Sequence, residues 1–346
     1  MLLSTRYLCR AYSITSTNQV LKVKERLAQS QWSNTDYCIS GYPATQLYWL
    51  LKSSLSRNTP GRQKLGNVLD PLHSTLKGEG EFKRGNQVPF GYHFLYCNPL
   101  STDKELGLDG YDNYASPAEF TTDGTVAGQL FRRRMWVGGS ILNSGIPFSV
   151  GEEVTLTERV KRMKCLGKDP SSLDFKSMTT TRREFRNGHK ALMMVEERKL
   201  VFFNDQFRST IHENTLDLPT PQFRHVFTPS LFSNIKYSSL ISNTHKIHYD
   251  ARYAQDEGYP DVLVSGPFIV NLCLHYFSNV ASNLTIKEFK YKNISPMFPG
   301  KEYQICLAKD EDRKYQIWIQ SPKGGLVVFF HGTLTLEGVD NIASQQ

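Results

Sequence analysis

Residues 267–280 carry apolar side chains on nearly every face of the helix that they predict. A helix that is hydrophobic all round has to be buried on all sides. Strand-like runs rich in β-branched and aromatic residues follow at 286–293, 302–308, 315–320 and 326–336. One buried helix followed by a run of antiparallel strands predicts an α+β unit in which the sheet wraps around the helix.

The first half of the chain shows weaker signals of the same kind. Strand-like runs lie at 152–164, 182–185 and 190–203. Their order is similar to that of the last strands of the second half, which suggests a duplicated unit. Residues 204–230 contain three prolines and no sustained period, so we place an interdomain linker at 206–230. Residues 58–120 predict long loops, and 231–242 predict a mixed strand or turn segment.

The first twenty residues are basic and free of acidic side chains. They contain Arg6 and Arg10 together with several Ser and Thr, and the first acidic residue is Glu25. This composition predicts a mitochondrial transit peptide at 1–20, although an unstructured cytosolic tail is the alternative. The six cysteines form no C-x-x-C pair, which fits a reducing compartment. The longest apolar stretch, 262–274, is shorter than the roughly 20 residues of a membrane-spanning helix, so we expect no membrane span.

The formal net charge is +8, and removal of the two arginines in residues 1–20 would leave +6. A basic surface favours an anionic partner, which here means nucleic acid, membrane phosphate, coenzyme A or an acidic carrier protein. The sequence has no helix-turn-helix pattern, no RNA-binding sheet signature and no long Lys/Arg tract. Nucleic acid is therefore not favoured as the partner.

The segment 243–250 reads NTHKIHYD and is followed by YA, EGYP and VSGP. Its two histidines, His245 and His248, lie close to Asp250 and raise the question of a metal site. However, no third cluster completes a coordination shell, and the chain lacks H-E-x-x-H, so we predict no metal. A purely structural alternative is that these polar residues cap turns around the buried helix.

This segment resembles the MaoC-like branch of the hotdog superfamily, the (R)-specific enoyl-thioester hydratases and dehydratases. It is most similar to the double-hotdog form found as fungal mitochondrial 3-hydroxyacyl-thioester dehydratase type 2. Residues 133–139 read RRMWVGG, close to the family's R-R-M-W-A-G-G, and residues 106–111 read LGLDGY, similar to its L-G-x-D-G-[HY]. The three motifs occur in the family's order, and the resemblance extends from about residue 90 to the carboxy terminus.

The resemblance implies an α+β double hotdog, in which two antiparallel sheets each wrap a central helix. An N-terminal hotdog domain would occupy 21–205 and a catalytic hotdog domain 231–346. The implied reaction is reversible dehydration of (3R)-hydroxyacyl thioesters to trans-2-enoyl thioesters in mitochondrial fatty-acid synthesis, without a metal or redox cofactor. The substrate would be a thioester of acyl carrier protein or coenzyme A. The oligomeric state is left open, a homodimer included.

Dehydration removes a proton from C2 and expels hydroxide from C3, so it requires a base, an acid and donors for the thioester oxygen. The resemblance places His248 as the acid–base group and the Gly266 N–H as the oxyanion donor, while a simple turn glycine is the alternative. Asn243 stands where single-hotdog hydratases carry Asp, and an amide can orient water but cannot take a proton. His248 then performs both transfers, or Asp250 or His245 assists. For Asp250, capping of the short helix that follows is the structural alternative.

Arg133 and Arg134 belong to the only dense basic run of the sequence, which begins at Arg132. The run is either a solvated face or a docking site for an acidic carrier protein or coenzyme A phosphates, which arginine forks suit. Trp136 either lines an acyl tunnel or belongs to the core. The resemblance thus implies Arg133, Arg134 and Trp136 as candidate substrate- or carrier-binding residues.

Two other functions stay open. One is a MaoC-like hydratase of another coenzyme A thioester, which would use the same active-site residues. The other is a non-catalytic acyl-thioester-binding or carrier-binding protein that keeps the fold. Two departures keep this last alternative open: Asn243, and Ser265, the position at which the family usually has His. The intact His248 and Gly266 argue against it.

Overall fold

The computed structural model describes residues 16–56, 80–205, 216–322 and 327–337. The helices in these ranges are α1 Thr17–Gln29, α2 Gly41–Leu55, α3 Leu231–Leu240, α4 Ala251–Asp256 and α5 Gly266–Val280. The strands are β1 Gln31–Asp36, β2 Ala118–Phe120, β3 Val126–Gln129, β4 Arg133–Asn143, β5 Val154–Leu166, β6 Lys176–Asn187, β7 Leu192–Phe203, β8 Phe223–Phe227, β9 Ile286–Asn293, β10 Tyr303–Glu311, β11 Lys314–Gln320 and β12 Val328–Leu336. Short 3-10 turns occur at Tyr92–Leu95 and Lys246–His248.

Ten of these strands form one antiparallel sheet in the order β1-β5-β6-β7-β4-β9-β12-β11-β10-β8, while β2 and β3 pair separately. In each half, the first strand of the large sheet lies at the outer edge and the second lies at the centre. Because the strand order is the same in both halves, the α+β double-hotdog prediction is confirmed. One correction is needed: the two predicted sheets are joined into one, because β4 pairs with β9, with Gly139 opposite Tyr291.

Each half also has one long helix between its first two strands of the large sheet. In the second half this helix is α5, and residues 267–277 are buried without exception, as their all-round hydrophobicity predicts. In the first half it is α2, which packs against α5 and α3 and shares their apolar core. The sequence analysis did not predict α2. None of the helices in the described ranges is long and apolar enough to cross a membrane.

The structure changes two predicted boundaries in the second half. Part of the predicted linker is strand β8, which pairs with β10 at the sheet edge. Prolines on both sides of this short strand conceal it in the sequence. Residues 231–240 form α3 rather than a strand or turn, and the Ser230 side chain caps the helix by accepting the N–H of Ser233 at 3.0 Å. Residues 206–215 lie outside the described residues.

The predicted transit peptide overlaps the start of α1. Residues 1–15 lie outside the described residues, but Ser16 and Gln19 form a reciprocal capping box at the start of the helix. Val20 and Leu27 of α1 are buried in a small apolar cluster that includes Phe131. The predicted boundary at residue 20 therefore falls inside a packed helix.

Candidate active site

A cavity of about 280 Å³ lies where the two halves of the sheet meet. The first half contributes side chains from β4, β6 and β7, among them Trp136, Thr181 and Arg198, together with Tyr111 from a loop. The second half contributes residues of the segment 243–248 and the start of α5. The cavity therefore brings together residues from all three sequence motifs.

A buried amide positions this part of the second half. The side-chain amide nitrogen of Asn234, on α3, donates to the carbonyl oxygens of His248 and Leu263, each at 2.9 Å. Its Oδ1 accepts the N–H of Ser265, also at 2.9 Å. One side chain thus ties the histidine segment to the residues that precede α5. Sequence reasoning missed Asn234, because a lone Asn in a polar stretch carries no signal for such a role.

His248 is buried, and its ring orientation is determined by a backbone carbonyl. Its Nδ1 lies 3.0 Å from the Leu263 oxygen. Because a carbonyl can only accept, Nδ1 carries the proton and Nε2 is left unprotonated. Nε2 has no hydrogen-bond partner in the part of the chain that the structure describes, and the side chain lines the cavity. Burial lowers the pKa of His248 to about 4, so the ring is neutral near pH 7.

His245 and Asn243 line the cavity beside His248. The rings of the two histidines meet edge to face, with 5.5 Å between their centroids. Asn243 Oδ1 accepts the backbone N–H of His245 at 3.1 Å, so its NH₂ group is the part left for a ligand. Burial lowers the pKa of His245 to about 3, against the opposing effect of Asp109. The structure thus brings together three of the four polar residues that the sequence analysis singled out in this segment, Asn243, His245 and His248, and adds Asp109.

Gly266 begins α5, so its N–H has no intrahelical partner. A Cβ atom at this position would lie 3.2 Å from Asn293 Nδ2 and 3.4 Å from Trp136 Cε3. The glycine therefore lies against the tryptophan, and both residues line the cavity. Ser265 is fully buried, and its Oγ has no hydrogen-bond partner among the described residues. The N-terminal end of α5 is thus open to a ligand at Gly266.

Asp250 does not join this group. Its Oδ1 accepts the N–H of Tyr253 at 3.0 Å and caps α4. It is also absent from the residues that line the cavity. The geometry supports the structural alternative for this residue, and an assisting role in proton transfer has no support.

Arg133 and Arg134 do not form a docking surface. The Arg133 side chain has no exposed area, and its Nε lies 3.9 Å from Glu257 Oε2. The Arg134 side chain is 5% exposed, and its Nε lies 2.6 Å from Asp109 Oδ2. Only Arg132, which precedes β4, is exposed in this run. Because β4 lies at the centre of the sheet and both side chains are buried, the geometry gives no support to carrier docking by Arg133 and Arg134. Arg134 lines the cavity, so a substrate-binding role for this residue stays a prediction.

Sequence reasoning also missed a buried charge network in the first half, of which Glu158 and Arg198 line the cavity. Arg183 of β6 bonds Glu158 at 2.9 Å and Glu196 at 2.7 Å, and Arg198 bonds Glu196 at 2.6 Å. Burial alone would raise the pKa of Glu196, but Arg198 and Arg183 outweigh burial and hold it well below its usual value. These charges compensate one another. Glu196 and Arg198 are two residues apart on β7, a spacing that any strand with one polar face shows. The sequence therefore gives no signal for this network.

No group of three or more His, Cys, Asp or Glu side chains within residues 16–56, 80–205, 216–322 and 327–337 is arranged to hold a metal ion. The H-x-x-H-x-D spacing does not bring its members to one point. His245 and His248 face the cavity, whereas Asp250 caps α4.

Comparisons with known proteins identify the family. A sequence model of the family described as hydroxyacyl-thioester dehydratase type 2 matches residues 91–299. The mitochondrial hydroxyacyl-thioester dehydratase type 2 of Schizosaccharomyces pombe is 30% identical over 239 residues, which cover 63% of this chain and 77% of the relative. The range matched by the family model, 91–299, contains all three motifs and every cavity-lining residue named above.

Solved structures support the fold. A MaoC-like dehydratase from Phytophthora capsici superposes with a TM-score of 0.58 at 12% identity, covering 91% of this chain and 98% of its own. A Mycobacterium tuberculosis protein described as a double hotdog gives a TM-score of 0.50 at 13% identity, covering 89% and 95%. At such low identity these likenesses concern the fold alone.

Proposed function

The chain belongs to the hydroxyacyl-thioester dehydratase type 2 family, and from this premise we propose that it interconverts (3R)-hydroxyacyl and trans-2-enoyl thioesters in the cavity between its two halves. Family membership makes it a hydro-lyase. The observation that carries the proposal is that an unprotonated His248 nitrogen and the N terminus of α5 at Gly266 serve the same cavity. The reaction needs both a base and donors for the thioester oxygen.

His248 performs the proton transfers. In the dehydration direction, Nε2 takes the proton from C2 while the C2=C3 double bond forms and the C3–O bond breaks. The imidazolium then gives that proton to the departing hydroxyl group, and water leaves. No other titratable group is required, because the proton lost at C2 is the proton gained by oxygen. Hydration follows the same steps in reverse.

Asn243 orients the hydroxyl group or water. Its Oδ1 is occupied by the His245 N–H, so the side chain offers a hydrogen-bond donor to the oxygen at C3. A side-chain amide neither gains nor loses a proton near neutral pH, and we therefore assign Asn243 no proton transfer.

The thioester oxygen gains negative charge when the C2 proton leaves. We assign the stabilisation of this charge to the Gly266 N–H and the positive end of the α5 dipole, because Gly266 starts α5 and lines the cavity. The proton transfers and the oxyanion site together need no metal or redox cofactor, since the reaction changes no oxidation state overall and the thioester supplies the activation of C2.

We place the activity in the mitochondrial matrix, because the Schizosaccharomyces pombe relative is named as mitochondrial and the first twenty residues are basic and acid-poor. Fatty-acid synthesis on acyl carrier protein is the context that this implies, with coenzyme A as the alternative carrier. Rates with the same acyl group on the two carriers would separate these alternatives. A homodimer stays a prediction for light scattering to test.

The test is the hydration of crotonyl-coenzyme A, followed at the enoyl absorbance, with the purified chain and with His248→Ala. We expect hydration by the parent protein and a loss of at least about 10²-fold in the variant, in line with the usual contribution of an acid–base group. His189→Ala serves as the control, because His189 lies on an exposed turn between β6 and β7.

Two outcomes would contradict the proposal. If the parent protein hydrates neither crotonyl-coenzyme A nor longer enoyl thioesters, the non-catalytic binding function gains support. If His248→Ala and the control His189→Ala both keep the parent rate, the proposed reaction is supported but the assignment of His248 as the base is wrong.

A further inference from the structure

The LGLDGY motif of the first half lies directly against the histidine segment of the second half. The carbonyl oxygen of Asp109 accepts the backbone N–H of Lys246 at 2.9 Å, and the Leu108 carbonyl accepts Lys246 Nζ at 2.9 Å. The Thr244 hydroxyl donates to the Gly110 carbonyl at 2.5 Å. The mechanism above uses none of these residues, although they hold the segment that contains both histidines.

The Asp109 carboxylate itself points toward His245. Its Oδ2 lies 3.5 Å from His245 Nε2 and 2.6 Å from Arg134 Nε, while its Oδ1 accepts the N–H of Tyr111 at 3.1 Å. Burial alone would raise the pKa of Asp109, but the charged guanidinium of Arg134 beside it outweighs burial and lowers it. The side chain is therefore ionised and can only accept hydrogen bonds.

Arg134 keeps this carboxylate from turning away. Apart from Asp109, its guanidinium donates to the Asp112 carbonyl at 2.9 Å, to Ser116 Oγ at 2.8 Å and to Asn113 Oδ1 at 2.7 Å. A planar fork with this many fixed acceptors has one orientation. The second arginine of the RRMWVGG motif thus supports the aspartate of the LGLDGY motif.

An ionised carboxylate beside Nε2 favours the His245 tautomer that carries its proton on Nε2. Nδ1 is then an acceptor, and it has no hydrogen-bond partner among the residues that the structure describes. His245 lines the same cavity as Asn243 and His248. The cavity therefore offers two imidazole acceptors and one amide donor at neighbouring positions.

This set of groups matches the valences of one water molecule. A water that attacks C3 donates one proton to the base and needs an acceptor for its other O–H. Its remaining lone pair can accept one hydrogen bond. His248 Nε2, His245 Nδ1 and the Asn243 NH₂ supply these three contacts, and the fourth direction is left for C3.

We propose that His245 Nδ1 accepts the hydrogen bond from the C3 hydroxyl group or the attacking water, and that Asp109 is the positioning residue that holds His245 in this tautomer. The proposal rests on the hydration–dehydration function. It explains how a site with Asn243 in place of an aspartate still orients the oxygen at C3: the acceptor comes from a histidine, and its carboxylate partner comes from the other half of the chain. The O–H proton that His245 holds stays on oxygen, and the C2 proton still travels through His248.

A double-mutant cycle tests the coupling. We expect Asp109→Asn to lower kcat for crotonyl-coenzyme A by about 10²-fold with little change in KM, which is the usual cost of a misplaced reacting group. His245→Ala should lower kcat by a similar factor. Because Asp109 acts through His245, the double variant should be no slower than His245→Ala alone. Asp103→Asn, in the same loop but exposed, should keep the parent rate.

Additive losses in the cycle, or full activity of Asp109→Asn, would overturn the proposal while leaving the hydratase function intact; an inactive parent protein would instead count against the function. A variant that fails to fold does not end the test, because the imidazole ¹⁵N shifts of the parent protein report the tautomer directly. A proton on His245 Nε2, lost or redistributed in folded Asp109→Glu or Asp109→Asn, supports the proposal. A proton on Nδ1 in the parent protein contradicts it.

Discussion

At the scale of single residues, the site depends on where each ring proton lies. His248 owes its unprotonated Nε2 to one backbone carbonyl, that of Leu263. The amide of Asn234 holds that same carbonyl and the carbonyl of His248 itself. The proposed base is therefore oriented by residues that the sequence motif does not contain. Motif resemblance could predict His248, but neither Asn234 nor the role of Leu263 could be read from the sequence.

Burial of His248 makes a specific prediction for the pH dependence of the rate. Burial penalises the charged imidazole and lowers its pKa to about 4, so the neutral base persists well below pH 6.5, the ordinary value. We expect kcat/KM for crotonyl-coenzyme A to stay level from neutral pH to about pH 5 and to fall roughly tenfold per unit below about pH 4. Initial rates across this range measure it.

Loss of the fold has to be separated from titration of the base. The pKa of buried His245 is lowered to about 3, and that of His248 to about 4. The unfolded chain therefore binds these protons more readily, and stability is lost as pH falls below about 6.5 toward these values. Samples held at low pH and then assayed at pH 7 should recover full activity. An acidic limb centred near 6.5 in recovering samples would contradict the assignment of a neutral, buried base.

At the scale of elements, the helices show what local sequence can and cannot predict. The buried helix α5 was predicted to within one residue at its N terminus, because a segment that is apolar all round has few other places to lie. Helix α3 was missed because its short segment has no clear helical pattern of its own. The Ser230 cap and contacts with α2 stabilise it. Strand β8 was missed because it is stabilised by pairing with β10, which lies far away in the chain and cannot be inferred from the local sequence.

The N terminus of α5 gives a prediction for the oxyanion donor. Gly266→Pro removes the proposed oxyanion donor without breaking an intrahelical hydrogen bond, because position 266 starts the helix. We expect kcat to fall by about 10²–10³-fold, the usual cost of one such donor. Steady-state hydration of crotonyl-coenzyme A provides the measurement.

Gly266→Ala is the control for this variant. It keeps the N–H and adds only a Cβ atom, at 3.2 Å from Asn293 Nδ2 and 3.4 Å from Trp136 Cε3. These neighbours need to move by a few tenths of an ångström, so we expect a loss of less than about tenfold. Equal losses for the two variants would show that crowding, and not the missing donor, explains the effect.

At the scale of the whole molecule, neither half contains a complete site. The second half supplies His248, Asn243 and Gly266, and the first half supplies Trp136 and the cavity wall of β6 and β7. Sequence resemblance could predict two hotdog units, and it assigns the proposed catalytic residues to the second. It could not predict that the sheets join through β4 and β9, because that junction depends on pairing between segments about 150 residues apart.

The junction itself requires glycine, and this gives the last prediction. A Cβ atom on Gly139 of β4 would lie 2.3 Å from the Glu197 carbonyl of β7 and 2.8 Å from Tyr291 Oη of β9. Because the first of these is backbone, Gly139→Ala has to displace a strand. We expect it to lower the free energy of unfolding by about 1–3 kcal/mol, measured by urea denaturation. Gly128→Ala on β3 meets only an ordinary 3.7 Å contact and should stay within about 0.5 kcal/mol of the parent.

Since one sheet passes through both halves, Gly139→Ala should shift the midpoint of a single transition and leave the m value unchanged. Two separate transitions in the parent protein would mean that the halves unfold independently and that the junction does not couple them.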